Sequence, residues 1–190
     1  MAFKRTTLFP DYIYEGQIEI PDTLKGGIKE SIDLNKQSGI TTELVYGWNT
    51  NKQFPMEGVM PSLVNLMATY FVDSVLGSND LKNRDINLLN PYLISTFPTH
   101  QYPTTIEPQR WYNAGMFIQT TNKGSHLSFQ NYGNKLYAGQ NTQENITYVK
   151  PKQFKVVFWP SHIPWSLTPN MSMVETTMLV CTFRADARKS

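Results

Sequence analysis

Three histidines, His100, His126 and His162, are the side chains here best suited to chemistry near neutral pH. Imidazole ligates metals when neutral and changes charge close to physiological pH. None of the three stands within metal-ligand spacing of another along the chain, so a shared site needs the fold to assemble it. His126 lies in Gly-Ser-His-Leu-Ser-Phe, where alternation puts Leu127 and Phe129 on one face and the imidazole on the other. That pattern predicts a solvent-facing ring. The lone Cys181 excludes an internal disulfide framework and any multi-thiolate zinc site. Its setting, Met-Leu-Val-Cys-Thr-Phe, predicts a buried and inert thiol. No Ser-His-Asp arrangement, glycine-rich phosphate loop or nucleophile elbow is visible.

The elements that must position these groups belong to a chain of 190 residues, enough for one domain over 1–190 with a real core. Hydrophobic residues make up 40% and charged residues 17%, the balance of a globular chain. The formal net charge of +2 carries no basic patch of the kind a nucleic-acid reader displays, so no nucleic-acid partner is expected. The cluster Arg184, Arg188, Lys189 reads as a solvated terminus. No run approaches the roughly 18 apolar residues of a bilayer span, and no membrane partner is expected. The opening MAFKRTTLFP has basic residues without a following apolar region, which argues against a secretory signal and for a soluble protein in a reducing compartment. Asn145-Ile-Thr and Asn170-Met-Ser match the glycosylation sequon and are read as chance matches.

Helical signals fall in the first half. Within PDTLKGGIKESIDLNKQSG, Asp22 is a capping residue, and Leu24, Ile28 and Ile32 share one face. Within MPSLVNLMATYFVDSVLGSND, Pro61 suits a first turn and Gly77 the position past the last. Leu63, Leu66, Met67, Tyr70, Phe71 and Val75 form a core-facing stripe between them. After Asn90-Pro91 the texture changes to short runs separated by turn chemistry: YLISTF, WYNAGMFIQ, HLSFQ, KLYA, NITYV, FKVVFW and SMVETTMLVCTF. Strands following helices in this way predict an α+β, mostly β domain: an antiparallel jelly roll over 91–185 with a helical support region over 1–90.

Three segments carry a family resemblance: NPYLIS, QRWYNAGMFIQTTNKGSHLSFQ and VKPKQFKVVFWPSHIPWSLTPN. Together with the order of elements, they resemble the phage-encoded and prolyl-hydroxylase-like 2-oxoglutarate/Fe(II) oxygenases over roughly residues 90 to 185. That family's fold is the double-stranded β-helix, a jelly roll. The resemblance implies an iron site made of a His-x-Asp/Glu pair and a distal histidine, plus a cation on the last strand for the co-substrate carboxylate.

The motifs depart from that pattern. His100 matches the first histidine, but Tyr102 stands where the carboxylate belongs, and a shifted register on Ile106-Glu107-Pro108 supplies a carboxylate without a histidine. Trp165 occupies the distal position, with His162 three residues early across Pro164. The last strand reads VETTMLV, and its first basic residue, Arg184, is expected beyond the strand end. An indole nitrogen is a donor only and cannot ligate.

Two readings follow. The first is a non-catalytic jelly roll without cofactor, a subunit of a phage virion located in the particle or the host cytoplasm. Its partners are other protein subunits, in a homo- or hetero-oligomer. The second is a dioxygenase using Fe(II) and 2-oxoglutarate, with His100, Glu107 and His162 around the metal and Arg110 or Arg184 on the co-substrate. A third possibility is a sugar-binding module stacking on Trp111, Tyr112 and Trp165.

Overall fold

A computed structural model describes residues 4–8, 11–37, 41–50, 56–77, 84–106, 111–130 and 146–187. The helical stripes behave as their spacing requires. Helix α1 (Asp22–Gln37) buries Ile28 and Ile32 together with Ser31 and Asn35. Helix α2 (Met60–Phe71) begins with Pro61 in its first turn and buries Leu63, Val64, Met67 and Phe71. It runs on into one π-helical turn (Val72–Leu76) that ends at Gly77. Both helices lie on one face of a large sheet, and Phe71 stacks on Phe183 of that sheet at 4.1 Å between centroids.

The strands, in chain order, are β1 (Lys4–Leu8), β2 (Asp11–Gln17), β3 (Thr41–Leu44), β4 (Gly47–Thr50), β5 (Arg84–Thr96) and β6 (Tyr102–Thr105), then β7 (Tyr112–Gln119), β8 (Leu127–Gln130), β9 (Ile146–Val149), β10 (Lys155–Pro160), β11 (Trp165–Leu167) and β12 (Thr176–Ala187). Eight form the large sheet in the order β1-β2-β10-β7-β12-β5-β4-β3, and four form a small sheet in the order β6-β11-β8-β9. All pairings are antiparallel. From β5 onward the chain crosses between the two sheets, placing β5, β7, β10 and β12 in one and β6, β8, β9 and β11 in the other. This is the double-stranded β-helix, as the alternating runs and their order predicted.

Strand periodicity divides the core in two. Alternate residues of the large sheet, such as Met116, Phe158, Leu179 and Cys181, face the helices. Their neighbours Phe117, Val157, Trp159, Met178 and Val180 face the small sheet across the barrel interior. Gly115 serves that interior. A Cβ there would lie 2.3 Å from Met178 Cε and 3.2 Å from the Trp159 ring, so the missing side chain is what admits the indole.

Several expectations need correction. The N-terminal region is more than a helical support, since it contributes β1 to β4 to the large sheet. β1–β2 and β3–β4 are local hairpins, and what attaches them to the sheet, β2 on β10 and β4 on β5, is pairing between segments distant in sequence, which local patterns do not display. β6 and β11 are too short to announce themselves by alternation. The strand expected at KLYA lies outside the described residues. Arg184 stands inside β12, opposite Asn87, because β5 begins at Arg84 and its pairing carries β12 on to Ala187.

Candidate functional site

The jelly-roll interior between the sheets is where the resemblance expects chemistry. Trp165 opens β11, pairing with Thr105 of β6 on one side and Phe129 of β8 on the other. Its side chain is wholly buried. It stacks on Tyr102 at 5.7 Å and 9° and meets Trp159 edge to face at 5.4 Å. Phe129 closes the same cluster at 5.5 Å from Trp159. Aromatic pairs in these geometries contribute about 0.5–1.5 kcal/mol each beyond their burial. The interior at this position is therefore packed with rings.

Four buried polar atoms here find no hydrogen-bond partner: Trp165 Nε1, Trp159 Nε1, and both Nδ2 and Oδ1 of Asn113. Asn113 and Trp159 are paired across β7 and β10 and so share a face. Each such orphan costs about 1–3 kcal/mol of desolvation. Nothing in the sequence distinguished Asn113, whose only signal was a polar residue at an inward-facing strand position.

The last strand has hydroxyl groups where a cation was expected. Thr176 and Thr177 are fully buried. Thr177 Oγ1 meets Ser95 Oγ at 3.1 Å, and Thr176 Oγ1 accepts the Ser125 backbone N–H at 3.1 Å. Thr96 and Ser125 join hydroxyl to hydroxyl at 2.8 Å. These hydroxyls bond one another, and the charged group joined to them, Glu175 through Ser95 Oγ at 3.0 Å, is negative, so the network offers an anion no cation of its own. Arg184 is exposed, eight residues past Thr176 and roughly 26 Å along an extended strand.

His100 and His162 are not brought together. His100 lies just before β6, with its Nδ1 donating to the Pro98 carbonyl at 2.9 Å and its own carbonyl accepting from Asn170 N at 2.8 Å. His162 sits exposed in the tight turn closed by Ile163 N donating to Pro160 O. Tyr102, near His100, pairs with Leu167, whereas Thr105 pairs with Trp165, three residues after His162. The two imidazoles thus stand at opposite ends of the β6–β11 pair. Glu107 and Arg110 lie outside the described residues.

His126 is half-buried beside Tyr148, with 6.4 Å between rings, rather than solvent-facing. Burial, with Lys150 and Lys155 adding to it, holds its pKa below the usual histidine value. Cys181 is buried as expected, and desolvation pushes its thiol up, so it stays protonated. Asn170 is fully buried, and its Nδ2 donates to Thr96 O and Val174 O, which removes it as a glycan acceptor. Asn145 lies outside the described residues. Trp111 and Tyr112 pack on Phe71 at the helix-covered face, while Trp165 is inside the barrel, so the three form no common stacking platform.

Among the described residues, no three His, Cys, Asp or Glu side chains gather as a metal site. The iron site that the resemblance implies is made of imidazole and carboxylate ligands. The groups at the distal-ligand position are instead a buried indole and its aromatic neighbours, and those at the co-substrate position are hydroxyls. These described residues do not fit Fe(II) with 2-oxoglutarate.

No family model matches the chain, and no curated protein matches it in sequence. Solved structures do match in fold. The non-heme alpha ketoglutarate dependent carbocyclase SnoK from nogalamycin biosynthesis superposes with a TM-score of 0.70 at 10% identity, covering 93% of this chain and 81% of that one. A Pseudomonas putida prolyl-4-hydroxylase gives 0.60 at 14% identity, covering 90% and 91%. The viral collagen prolyl hydroxylase of Paramecium Bursaria Chlorella virus-1, in its 2OG complex, gives 0.59 at 12% identity, covering 90% and 96%. The fold is that of the 2-oxoglutarate/Fe(II) oxygenases. No helix among the described residues is long and apolar enough to cross a membrane.

Proposed function

We propose that this chain is a non-catalytic protein on the oxygenase fold, serving as a structural or assembly subunit of a phage virion. The observation that carries the reading is Trp165. At the position where the resemblance calls for a metal-binding histidine, a donor-only indole is wholly buried between Tyr102 and Trp159. The hydroxyl network at Thr176 and Thr177 supports the same reading, because the charged group joined to it is the Glu175 carboxylate, which repels an anion, and Lys36 is already paired with that carboxylate. A low charge content suits a protein–protein role.

Titration with Fe(II) and 2-oxoglutarate tests the non-catalytic half. Ligands that bind only the folded state raise its melting temperature by mass action. At about millimolar levels of both, no shift and no carbon dioxide from labelled 2-oxoglutarate are expected. A shift with turnover overturns the reading. Mass spectrometry of purified particles tests the virion half, and absence of the chain from them counts against it.

The dioxygenase reading draws on the fold likeness. His100 and His162 stand at opposite ends of one strand pair, so it requires a different ligand set from the one in which both bind the metal.

A further inference from the structure

One end of the barrel carries an exposed apolar surface on a rigid frame. Met171 is 74% exposed, Met173 92% and Val45 88%. Large apolar side chains at loop tips are ordinarily tolerated singly; here three stand at one end of the barrel, on two loops flanking the β5 end. The loop bearing the methionines is tightly held. Asn170 Nδ2 donates to Thr96 O at 3.1 Å and Val174 O at 2.8 Å, Thr99 N donates to Asn170 O at 2.7 Å, and Ser172 Oγ both donates to Val174 O and accepts from Val174 N. The β3–β4 turn is tied to the same strand end by Phe97 N donating to Tyr46 O at 3.0 Å. A surface ordered beforehand loses little entropy when it docks.

Sheet order sets the layout of this end. Gln119 at the end of β7 pairs with Thr177 at the start of β12, Thr176 pairs with Thr96 at the end of β5, and Thr96 pairs with Gly47 at the start of β4. Reading across, the β7–β8 turn with exposed Lys123 comes first and the methionine loop second. The loop after β5 is central, and the β3–β4 hairpin with Val45 and exposed Glu43 comes last. The positive and negative residues therefore flank the apolar surface on opposite sides, about 19 Å apart at four strand spacings.

From this layout we propose that the end of the barrel is an isologous interface between two copies of the chain. A two-fold axis beside the β5 end exchanges the flanks, setting Val45 of one copy against the methionines of the other and Lys123 of one against Glu43 of the other. Both contacts then occur twice, as two-fold symmetry requires. A net charge of only +2 leaves little long-range repulsion to oppose pairing. The inference rests on the assembly reading above and names the surface through which the chain would self-associate.

Sedimentation of the full chain up to about 1 mM, the weak end of specific association, tests it. The wild-type chain is expected to dimerise. Val45→Asp and Met173→Asp, both at exposed positions, are expected to weaken association about tenfold or more. Lys123→Glu and Glu43→Lys each weaken it singly, and the double swap restores it. A wild type that stays monomeric overturns the interface. A dimer untouched by both Asp variants and both swaps overturns this surface while leaving assembly through another face intact. Neither result bears on the iron and 2-oxoglutarate titration, which decides the non-catalytic reading separately.

Discussion

Glu175 Oε2 accepts the indole N–H of Trp48 at 2.8 Å, tying the loop before β12 to the second strand from the sheet's edge. The same oxygen accepts from Ser95 Oγ at 3.0 Å, and Oε1 lies 3.5 Å from Lys36 Nζ on α1. One carboxylate thereby joins a helix, a buried tryptophan and the hydroxyl network on the last strand. Its removal takes the acceptor from the buried Trp48 N–H, while Ser95 Oγ keeps Thr177 Oγ1 and the Thr176 carbonyl within reach. Glu175→Ala is expected to cost about 2–4 kcal/mol in denaturant unfolding, within the range for lost charged hydrogen bonds plus an orphaned partner. Glu175→Gln keeps one acceptor and should cost less than half as much. Equal losses for the two variants would mean that Glu175 acts through packing instead.

Trp165 offers a second test, of its role as filling. Trp165→Ala should destabilise by about 3–5 kcal/mol, the range for a large aromatic removed from a close-packed core. Trp165→Phe keeps a ring against Tyr102 and removes an unpartnered N–H, so it should cost about 1–2 kcal/mol at most, since the smaller cavity is offset by the lost orphan. Unfolding midpoints of the two variants, compared at unchanged slope, check the order.

Asn113 should be a site where loss of polarity helps. Both its amide atoms are buried and unpartnered. Asn113→Leu keeps the branched shape and the number of heavy atoms and is expected to raise stability by about 1–2 kcal/mol, because a buried polar group without partners carries its desolvation cost unrecovered. Thermal unfolding measures this directly. A large destabilisation would mean that the amide is bonded in solution to water or to another molecule.

His126 predicts a pH dependence. Burial, reinforced by Lys150 and Lys155, lowers its folded-state pKa below the ordinary value of 6.5. The unfolded chain therefore binds the proton more readily than the folded one. Its contribution to stability is fully present above 6.5 and is lost as pH falls through 6.5 towards the lower folded value. The melting temperature should drop over that window, and His126→Gln should flatten the drop. An unchanged slope in the variant would assign the effect to other groups.

Much of the fold could be read locally. Leu63, Met67 and Phe71 sit at helical spacing and form the inner face of α2, while Phe117, Phe129 and Val157 sit at strand alternation and face the barrel interior. β6 and β11 escaped because Tyr-Pro-Thr-Thr and Trp-Ser-Leu show too little alternation, and the β1–β2 and β3–β4 hairpins because their attachment to the sheet, β2 on β10 and β4 on β5, is long-range. The candidate site was legible as substitutions, with Trp165 and the Thr176–Thr177 pair standing where a ligand and a cation were expected. Trp159 and Trp165 also read as filling of the jelly roll, and they are; Phe158, which reads the same way, turns instead to the helix-covered face. The parts played by Tyr102 and Phe129 were not legible, since those residues come from strands far apart in the chain.

What the linear order of side chains determined alone is the alternation, the turns and the residue types, because these depend on neighbours within a few bonds. Only the tertiary structure decided that His100 and His162 stand at opposite ends of one strand pair and that Val45 and the methionine loop share one end of the barrel, on either side of the β5 end. Strand register makes both decisions: an antiparallel ladder carries residues that are close in sequence apart, and its strand ends collect side chains from distant segments on one rim.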